Sequence, residues 1–176
     1  MSANFQAVVI GAGPAGVCVI GELLDRGVRP IAWVDPLFDA GRLPRYVAVP
    51  SNTHTSLFRQ YATSTATFRA IWEKQRQQGK QTSLEVLGGL QQDAGCPLHL
   101  AVDLLRDLTE GLRRYHQDEV SFIAGAVTDI TQGVSDTGLW KVSVNTHQEL
   151  NAHVVVLATG SAPIDVSAPT ACPQSR

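Results

Sequence analysis

The fold is decided by residues Phe5 to Asp35, which read FQAVVIGAGPAGVCVIGELLDRGVRPIAWVD. The apolar run Ala7–Ile10 has the length and composition of a buried strand. Apolar side chains then recur every three or four residues from Val17 to Leu24, as on one face of a helix, before a second apolar run, Ile31–Val34. Between the first strand and the helix lie glycines spaced G-x-G-x-x-G, namely Gly11, Gly13 and Gly16. The stretch predicts a strand, a glycine turn, a helix and a second strand.

Each residue of the glycine turn has a physical reason to be there. Gly11 permits a tight turn out of the strand, Gly13 lets a pyrophosphate approach the backbone, and Gly16 lets the helix pack against the sheet. Pro14 suits the first helical turn, where an N–H would lack an intrahelical partner. The free N–H groups and the positive end of the helix would then face phosphate oxygens. The complete register favours a dinucleotide site over a glycine-rich turn without a ligand.

Asp35 directly follows the second apolar run, nineteen residues after Gly16. An acid at this place can accept hydrogen bonds from the ribose hydroxyls of an adenosine. Its negative charge would repel a 2′-phosphate, so we expect the site to disfavour NADP.

Composition restricts the class of protein. The 176 residues suit one domain, 44% of them are apolar, and the net charge of −2 gives no support for nucleic-acid binding. No apolar run approaches the length of a membrane span, and the chain enters its first strand without a signal-type segment, so we expect a cytoplasmic protein without a membrane partner.

The three cysteines are scattered and predict reduced thiols. The five histidines show no metal-ligand spacing, so no metal site is expected.

The middle of the chain is predicted to be a long loop followed by helices. The loop, Pro36–Thr55, is rich in proline, glycine and polar residues. Its Arg42 and Arg45 would either meet phosphate and ribose oxygens or lie solvated on the surface. The helices are predicted over Ser56–Gln78, over Ser83–Gln92 and from Cys96–Pro97 to Tyr115, the last as a crossover helix covering one sheet face.

The last third of the chain predicts strands. Val120–Ile130, Trp140–Val144 and Val154–Leu157 have β character, with turn signals at residues 133–138, and we predict three short antiparallel strands. Since Val154–Leu157 is continuously apolar, we expect both of its faces to be buried. Residues 163–176 have little to bury and are predicted to be a mobile tail.

Three pieces of the chain, in this order, resemble the FAD-binding domain of flavoproteins with two dinucleotide-binding domains. The pieces are the glycine fingerprint with Asp35, a β-meander from about Ile123 to Asn151, and Val154–Gly160, which ends in Ala-Thr-Gly. The group includes the pyridine nucleotide-disulfide oxidoreductases, the flavin-containing monooxygenases and the N-hydroxylating monooxygenases. The loop from Gly41 to Thr53 also resembles the one that passes the flavin in monooxygenase-like members. The resemblance covers residues 5 to 162.

The resemblance implies a cofactor, FAD, and the residues that would hold it. No side chain stands out as a general acid or base, in keeping with chemistry that a flavin carries. The implied FAD-binding residues are Gly11, Gly13, Pro14, Ala15 and Gly16 around the pyrophosphate, Asp35 at the adenosine ribose, Arg42 near the phosphates or ribose, Asn52 nearer the flavin, Val127 at the end of the third parallel strand with its backbone at the adenine, and Thr159 and Gly160 where the chain would leave for a second domain.

One departure from the family pattern is large. In the family an NAD(P)H domain with its own GxGxxG follows the Ala-Thr-Gly segment, and a further strand then returns to the FAD domain. Both are absent from this sequence, which resembles a truncated product, a fragment or one half of a split protein. We therefore expect NAD(P)H to act as reductant only if a second domain is supplied. A homo-oligomer or a partner chain is expected to complete the open sheet edge.

The predicted fold is α/β, a Rossmann-like, mainly parallel sheet with flanking helices and a small antiparallel meander, over residues 1–162. Family topology implies the order third strand, second strand, first strand and then Val154–Ala158. The leading hypothesis for function is the FAD-binding part of a flavin-dependent oxidoreductase, a monooxygenase-like enzyme using NAD(P)H on a small molecule. The alternatives are a non-catalytic adenine-dinucleotide-binding module left by truncation and a single-domain NAD-dependent dehydrogenase. The meander and the Ala-Thr-Gly end argue against the last.

Overall fold

The computed structural model describes residues 3–132 and 138–160. The strands are β1 (Ala3–Ile10), β2 (Ile31–Asp35), β3 (Pro50–His54), β4 (Gly95–Pro97), β5 (Val120–Ala124), β6 (Val127–Gln132), β7 (Trp140–Val144) and β8 (Gln148–Leu157). The helices are α1 (Pro14–Asp25), α2 (Thr55–Ala62), α3 (Ala66–Gln77), α4 (Ser83–Gly88) and α5 (Leu98–Tyr115), with a short 3-10 helix at Leu43–Tyr46.

The main sheet has six strands in the order β5-β2-β1-β8-β7-β6. β1 lies parallel to both β2 and β8, and β2 lies parallel to β5, whereas β6, β7 and β8 pair antiparallel. Strands β3 and β4 form a separate antiparallel pair. The predicted α/β class and the predicted order of the parallel strands are both confirmed.

Each face of the sheet carries its own apolar cluster because successive strand residues point to opposite faces. Val9 and Trp33 pack with α1, α3 and α5 in the larger cluster. Val8 and Val34 belong to the smaller cluster, which β7 and β8 complete. The long helix α5 is the crossover helix that the sequence predicted, since its buried leucines join the larger cluster.

The region predicted as one strand, Val120–Ile130, is two strands. β5 ends at Ala124, and β6 begins at Val127 after the chain turns at Gly125. The two segments have different partners, because β5 extends the parallel sheet beside β2 and β6 pairs with β7. The meander is therefore β6-β7-β8, and Val127 opens it instead of ending the third parallel strand.

The last strand is longer and less buried than its sequence predicted. β8 runs without interruption from Gln148 to Leu157, pairing with β1 from Leu150 to Leu157 but with β7 only from Gln148 to Ala152. Its carboxyl half consequently has one neighbour within the described part of the chain. Val154 is 51% exposed and Leu157 is 67% exposed, so the expectation of burial on both faces is wrong.

Two further predictions need correction, and two others fall outside the described residues. The segment Pro36–Thr55 contains the 3-10 helix and β3, whose partner β4 is distant in sequence. The helix predicted over Ser56–Gln78 is interrupted at residues 63–65, where the side chain of Thr65 caps α3. The tail over 163–176 lies outside the described residues, as does most of the turn predicted at 133–138.

Candidate functional site

A cavity of about 620 Å³ opens at the carboxyl ends of β1, β2 and β8. The glycine turn and the start of α1 form its floor, the segment after β2 forms one wall, and residues 125–127 and 157–160 form others. β1 connects through α1 to β2 on one side, while β8 lies on its other side. The cavity thus lies where parallel α/β sheets bind ligands, at the point where strand order reverses.

The glycine turn is shaped by two close backbone approaches. Gly11 has a φ of +107°, and a Cβ there would lie 2.4 Å from the carbonyl oxygen of Ala158. A Cβ on Gly16 would lie 1.9 Å from the oxygen of Gly11. Only glycine fits either position, so these two residues let β1, β8 and α1 converge beneath the cavity.

Gly13 leaves the cavity floor open. A Cβ at this position would meet its nearest neighbour, the Cα of Gly41, at 3.8 Å. Gly13 is also the N-cap of α1, and no side chain caps that helix end. The first-turn amides and the positive end of the helix dipole are therefore available to an anion.

Asp35 contacts the backbone on both sides of the cavity. Its Oδ2 accepts a hydrogen bond from the N–H of Ala12 at 2.8 Å, and its Oδ1 accepts from those of Leu37 and Phe38 at 2.8 and 2.7 Å. The carboxylate thus joins the glycine turn to the segment after β2. It also lines the cavity, and a carboxylate with about four acceptor positions retains capacity for a ribose hydroxyl.

The segment after β2 folds back over the turn. Gly41 has a φ of +65°, and a Cβ on it would lie 2.9 Å from the Cα of Gly13, so a side chain there would displace the cavity wall. Asp39 accepts a hydrogen bond from Nε of Arg106, on α5, at 2.6 Å. That hydrogen bond lowers the pKa of Asp39 and keeps its carboxylate charged. The long helix therefore supports this wall from behind.

Nine of the eleven residues implied by the resemblance lie together around the cavity. They are Gly11, Gly13, Pro14, Ala15, Asp35, Arg42, Val127, Thr159 and Gly160. Gly16 lies beneath the floor, where it supports the turn. Asn52 lies on β3, is exposed, and does not line this cavity. The sequence did not decide whether the two loop arginines meet a ligand or lie solvated on the surface. In the structure, Arg42 lines the cavity and Arg45 is exposed outside it.

Sequence reasoning missed a second cavity next to the first. It has a volume of about 220 Å³, lies between the 3-10 helix, β3, α2 and α5, and shares Pro14 and Leu43 with the larger one. Tyr61 lines it, and the hydroxyl of Tyr61 donates a hydrogen bond to the carbonyl oxygen of Pro14 at 2.7 Å. Burial raises the pKa of Tyr61, so this hydroxyl remains a donor. The apolar face of the helix predicted over Ser56–Gln78 was the available signal, but that pattern also fits simple packing.

Residues 3–132 and 138–160 bring no three potential ligands among His, Cys, Asp and Glu together as a metal site. None of the helices described is both long and apolar enough to cross a bilayer.

Comparison with known proteins agrees with this geometry. A family model described as FAD-NAD(P)-binding matches residues 8–162, and the chain belongs to that family. It is 42% identical over 167 residues to the protein named Monooxygenase AgnR1 of Paecilomyces divaricatus, an alignment that covers 89% of this chain and 40% of that relative. The chain thus spans about two fifths of the relative's length. The predicted family and its class of cofactor are confirmed.

Solved structures share the fold. The cyclohexanone monooxygenase from Rhodococcus sp. Phi1 bound to NADP+ superposes with a TM-score of 0.59 at 22% identity, covering 91% of this chain and 26% of that one. An oxidized steroid monooxygenase bound to NADP gives a TM-score of 0.59 at 17% identity, with 90% and 26% covered. At these identities the likeness concerns architecture alone.

Proposed function

We propose that this chain is the FAD-binding part of a flavin-dependent, monooxygenase-like oxidoreductase that takes its electrons from NAD(P)H. The observation that carries the proposal is one cavity floored by an open glycine and an uncapped helix N-terminus, with Asp35 at its side. Such a floor suits a diphosphate, because backbone N–H groups and the helix dipole favour negative charge. Membership of the FAD-NAD(P)-binding family and the similarity to a monooxygenase support it.

The residues present fit FAD better than NADP. The carboxylate of Asp35 offers an acceptor to ribose hydroxyls and would repel a 2′-phosphate. The second cavity is lined mainly by apolar side chains and adjoins the first at Pro14 and Leu43, which line both. Together the two cavities suit a long ligand with a charged centre and a flat, largely apolar end.

The chain's own residues would bind and orient the cofactor. The amides at the start of α1 would hold the diphosphate, Arg42 would add a positive charge beside it, and Asp35 would orient the adenosine. Bound FAD would supply the redox chemistry, while the protein supplies position and electrostatics. NAD(P)H would act as reductant from a second domain or chain.

The binding proposal is tested on the purified chain. Flavin released by denaturation is identified by chromatography, and the dissociation constants of FAD, NAD and NADP are measured by titration. We expect FAD to bind most tightly and NADP most weakly of the three. Tighter binding of NADP than of FAD would contradict the assignment.

We propose that the protein works in the cytoplasm. Cys18 and Cys96 are both free, as expected for a reducing compartment. Fractionation of the native cells with an antibody to the chain tests this, and recovery with a membrane or secreted fraction would contradict it.

A further inference from the structure

The side chain of Trp33 contacts the glycine turn from within the core. Trp33 lies in the middle of β2, is fully buried, and donates a hydrogen bond from its indole Nε1 to the carbonyl oxygen of Gly11 at 2.9 Å. The N–H of Gly11 donates in turn to the carbonyl oxygen of Val34 at 2.8 Å. The glycine turn is therefore tied to β2 by a side chain as well as by the backbone.

The indole and Asp35 act on the two ends of one peptide group. The C=O of Gly11 and the N–H of Ala12 belong to the same planar unit. Trp33 donates to that C=O, and Asp35 accepts from that N–H at 2.8 Å. Residues 33 and 35 are two apart on β2, so their side chains point to the same face of the strand. One supplies a donor and the other an acceptor, and the two bind opposite ends of a single peptide group.

The Gly11 carbonyl lies where the turn crosses α1. A Cβ on Gly16 would lie 1.9 Å from this oxygen and 3.5 Å from Nε1 of Trp33. Two groups thus approach this oxygen. One is the backbone of α1 at Gly16, and the other is the indole of Trp33. A partly buried carbonyl deprived of its donor is unfavourable, so loss of the indole N–H would favour rotation of this peptide.

We propose that Trp33 is a positioning residue for the dinucleotide diphosphate, because its indole N–H fixes the Gly11–Ala12 peptide and with it the open floor at Gly13. This inference rests on the proposed function and adds to it a residue that does not line the cavity. The same indole packs against Phe38 at 5.2 Å between ring centroids, with the ring planes near perpendicular. It therefore touches both the turn and the segment that folds over it.

Trp33→Phe is the informative change, because it keeps an aromatic ring in the core and removes the N–H. A role in packing alone predicts lower stability with unchanged affinity in the folded protein. The chain offers a matched control in Trp72, which is also buried and donates from Nε1 to the carbonyl oxygen of Ala62 at 2.7 Å, away from the cavity. Trp72→Phe deletes a hydrogen bond of the same kind, which joins α3 to the end of α2 and does not involve a residue of the glycine turn.

The experiment measures dissociation constants of FAD and of ADP for the wild-type chain and both variants, at a temperature where thermal unfolding shows each to be folded. We expect Trp33→Phe to weaken the binding of FAD and of ADP by the same factor, about five- to tenfold for the loss of one partly buried hydrogen bond. Trp72→Phe should lower the melting temperature and leave both constants unchanged. If Trp33→Phe does not fold, benzothienylalanine at position 33, which carries sulfur in place of the N–H, provides the same test with the ring size kept.

The possible outcomes separate this inference from the proposed function. If the wild-type chain binds FAD and ADP and Trp33→Phe binds each with the same affinity, the inference is overturned and the proposed function stands. An equal loss in Trp72→Phe would also overturn it, since general destabilisation would then explain both. Failure of the wild-type chain to bind either ligand would overturn the proposed function and the inference with it.

Discussion

At the scale of single residues, Gly13 is the position where one added side chain should strongly weaken cofactor binding without disturbing the core. A Cβ on Gly13 would meet no atom closer than 3.8 Å, so the backbone tolerates a side chain, but that side chain would occupy the floor on which a diphosphate rests. We expect Gly13→Val to weaken FAD binding by about a hundredfold, since overpacking costs about 1–3 kcal/mol. Titration of FAD measures the loss, and circular dichroism checks the fold.

Gly89→Val is the control for that substitution. Gly89 also has a negative φ, is exposed, and has its nearest Cβ neighbour at 3.6 Å, but it follows α4 away from the cavity. This variant should bind FAD like the wild type. Unchanged binding in Gly13→Val would place the diphosphate elsewhere.

Asp35 should matter for stability as well as for affinity, because its carboxylate accepts three backbone hydrogen bonds. Asp35→Ala leaves those N–H groups without their acceptor, and hydrogen bonds to a charged group contribute about 1.5–3 kcal/mol. We expect FAD affinity to fall by roughly ten- to a hundredfold and the free energy of unfolding to fall as well. Urea denaturation and FAD titration measure the two effects.

Asp118→Ala provides the comparison, since Asp118 is an exposed carboxylate in the turn between α5 and β5. It should change neither quantity measurably. A loss of affinity in Asp35→Ala without any loss of stability would mean that the three backbone contacts contribute little.

At the scale of secondary-structure elements, α1 and α3 are joined by a cap that crosses between helices. Asp25, the last residue of α1, accepts hydrogen bonds from the N–H groups of Ala66 and Thr67 and from the Thr67 hydroxyl, at 2.6, 2.9 and 2.6 Å. Loss of a helix cap costs about 1 kcal/mol. We expect Asp25→Ala to lower the free energy of unfolding by about that amount at neutral pH, and to leave FAD affinity unchanged.

The same contact gives stability a pH dependence. Desolvation alone would raise the pKa of Asp25, but the hydrogen bonds from Thr67 and Ala66 and the charge of Arg69 outweigh it and lower the pKa below 3.8. A carboxyl with a lowered pKa in the folded state stabilises above its unfolded value and loses that contribution as pH falls through the folded value. The difference between wild type and Asp25→Ala should therefore shrink in acid, and a constant difference down to the acid transition would contradict this account.

The elements that sequence predicted well are those whose signals are local. The glycine turn, α1 and α5 follow from spacing and periodicity within one stretch of chain, and the structure has them in place. The errors concern partners distant in sequence. β3 pairs with β4, and β5 and β6 separate at Gly125 because their neighbouring strands differ. No local sequence pattern indicates either arrangement.

The features of the site divide in the same way, into those that local sequence predicts and those that depend on distant contacts. The sequence located the floor of the cavity and Asp35, but it could not show that Trp33 reaches Gly11, because that contact depends on the register that pairs Val9 with Trp33. The positive φ of Gly41 and its approach to Gly13 likewise appear only when the segment after β2 folds back. Tertiary packing, which periodicity does not encode, decides these contacts.

At the scale of the whole molecule, the carboxyl half of β8 presents an edge with apolar side chains. Val154 and Leu157 are more than half exposed, and beyond Ala152 the described chain pairs this strand on one side only. Such an edge is a template for another strand. We propose that copies of this chain associate through it at high concentration.

Val154→Lys tests that proposal, because a charge on an edge strand opposes strand addition. We expect sedimentation velocity to show less association, with the melting temperature little changed. Leu37→Lys is the control, since Leu37 is 80% exposed but lies on a loop. Equal effects of the two substitutions would indicate nonspecific apolar contact, and a wild-type chain that stays monomeric at every concentration would contradict the proposal.

The final prediction concerns activity of the 176-residue chain. Its sequence contains a single GxGxxG, and the cavity built on that motif is the one we assign to FAD. Reduction of a flavin by NADPH requires the nicotinamide to be held against the flavin, and such positioning can contribute about 7–11 kcal/mol to lowering the barrier. We therefore expect the FAD-loaded chain to be reduced by dithionite but not by NADPH at an enzyme's rate. Anaerobic stopped-flow mixing with each reductant, monitored by flavin absorbance, makes the measurement. Rapid, saturable bleaching by NADPH would mean that these residues already hold both nucleotides, and a second nucleotide site would then have to be sought within this chain.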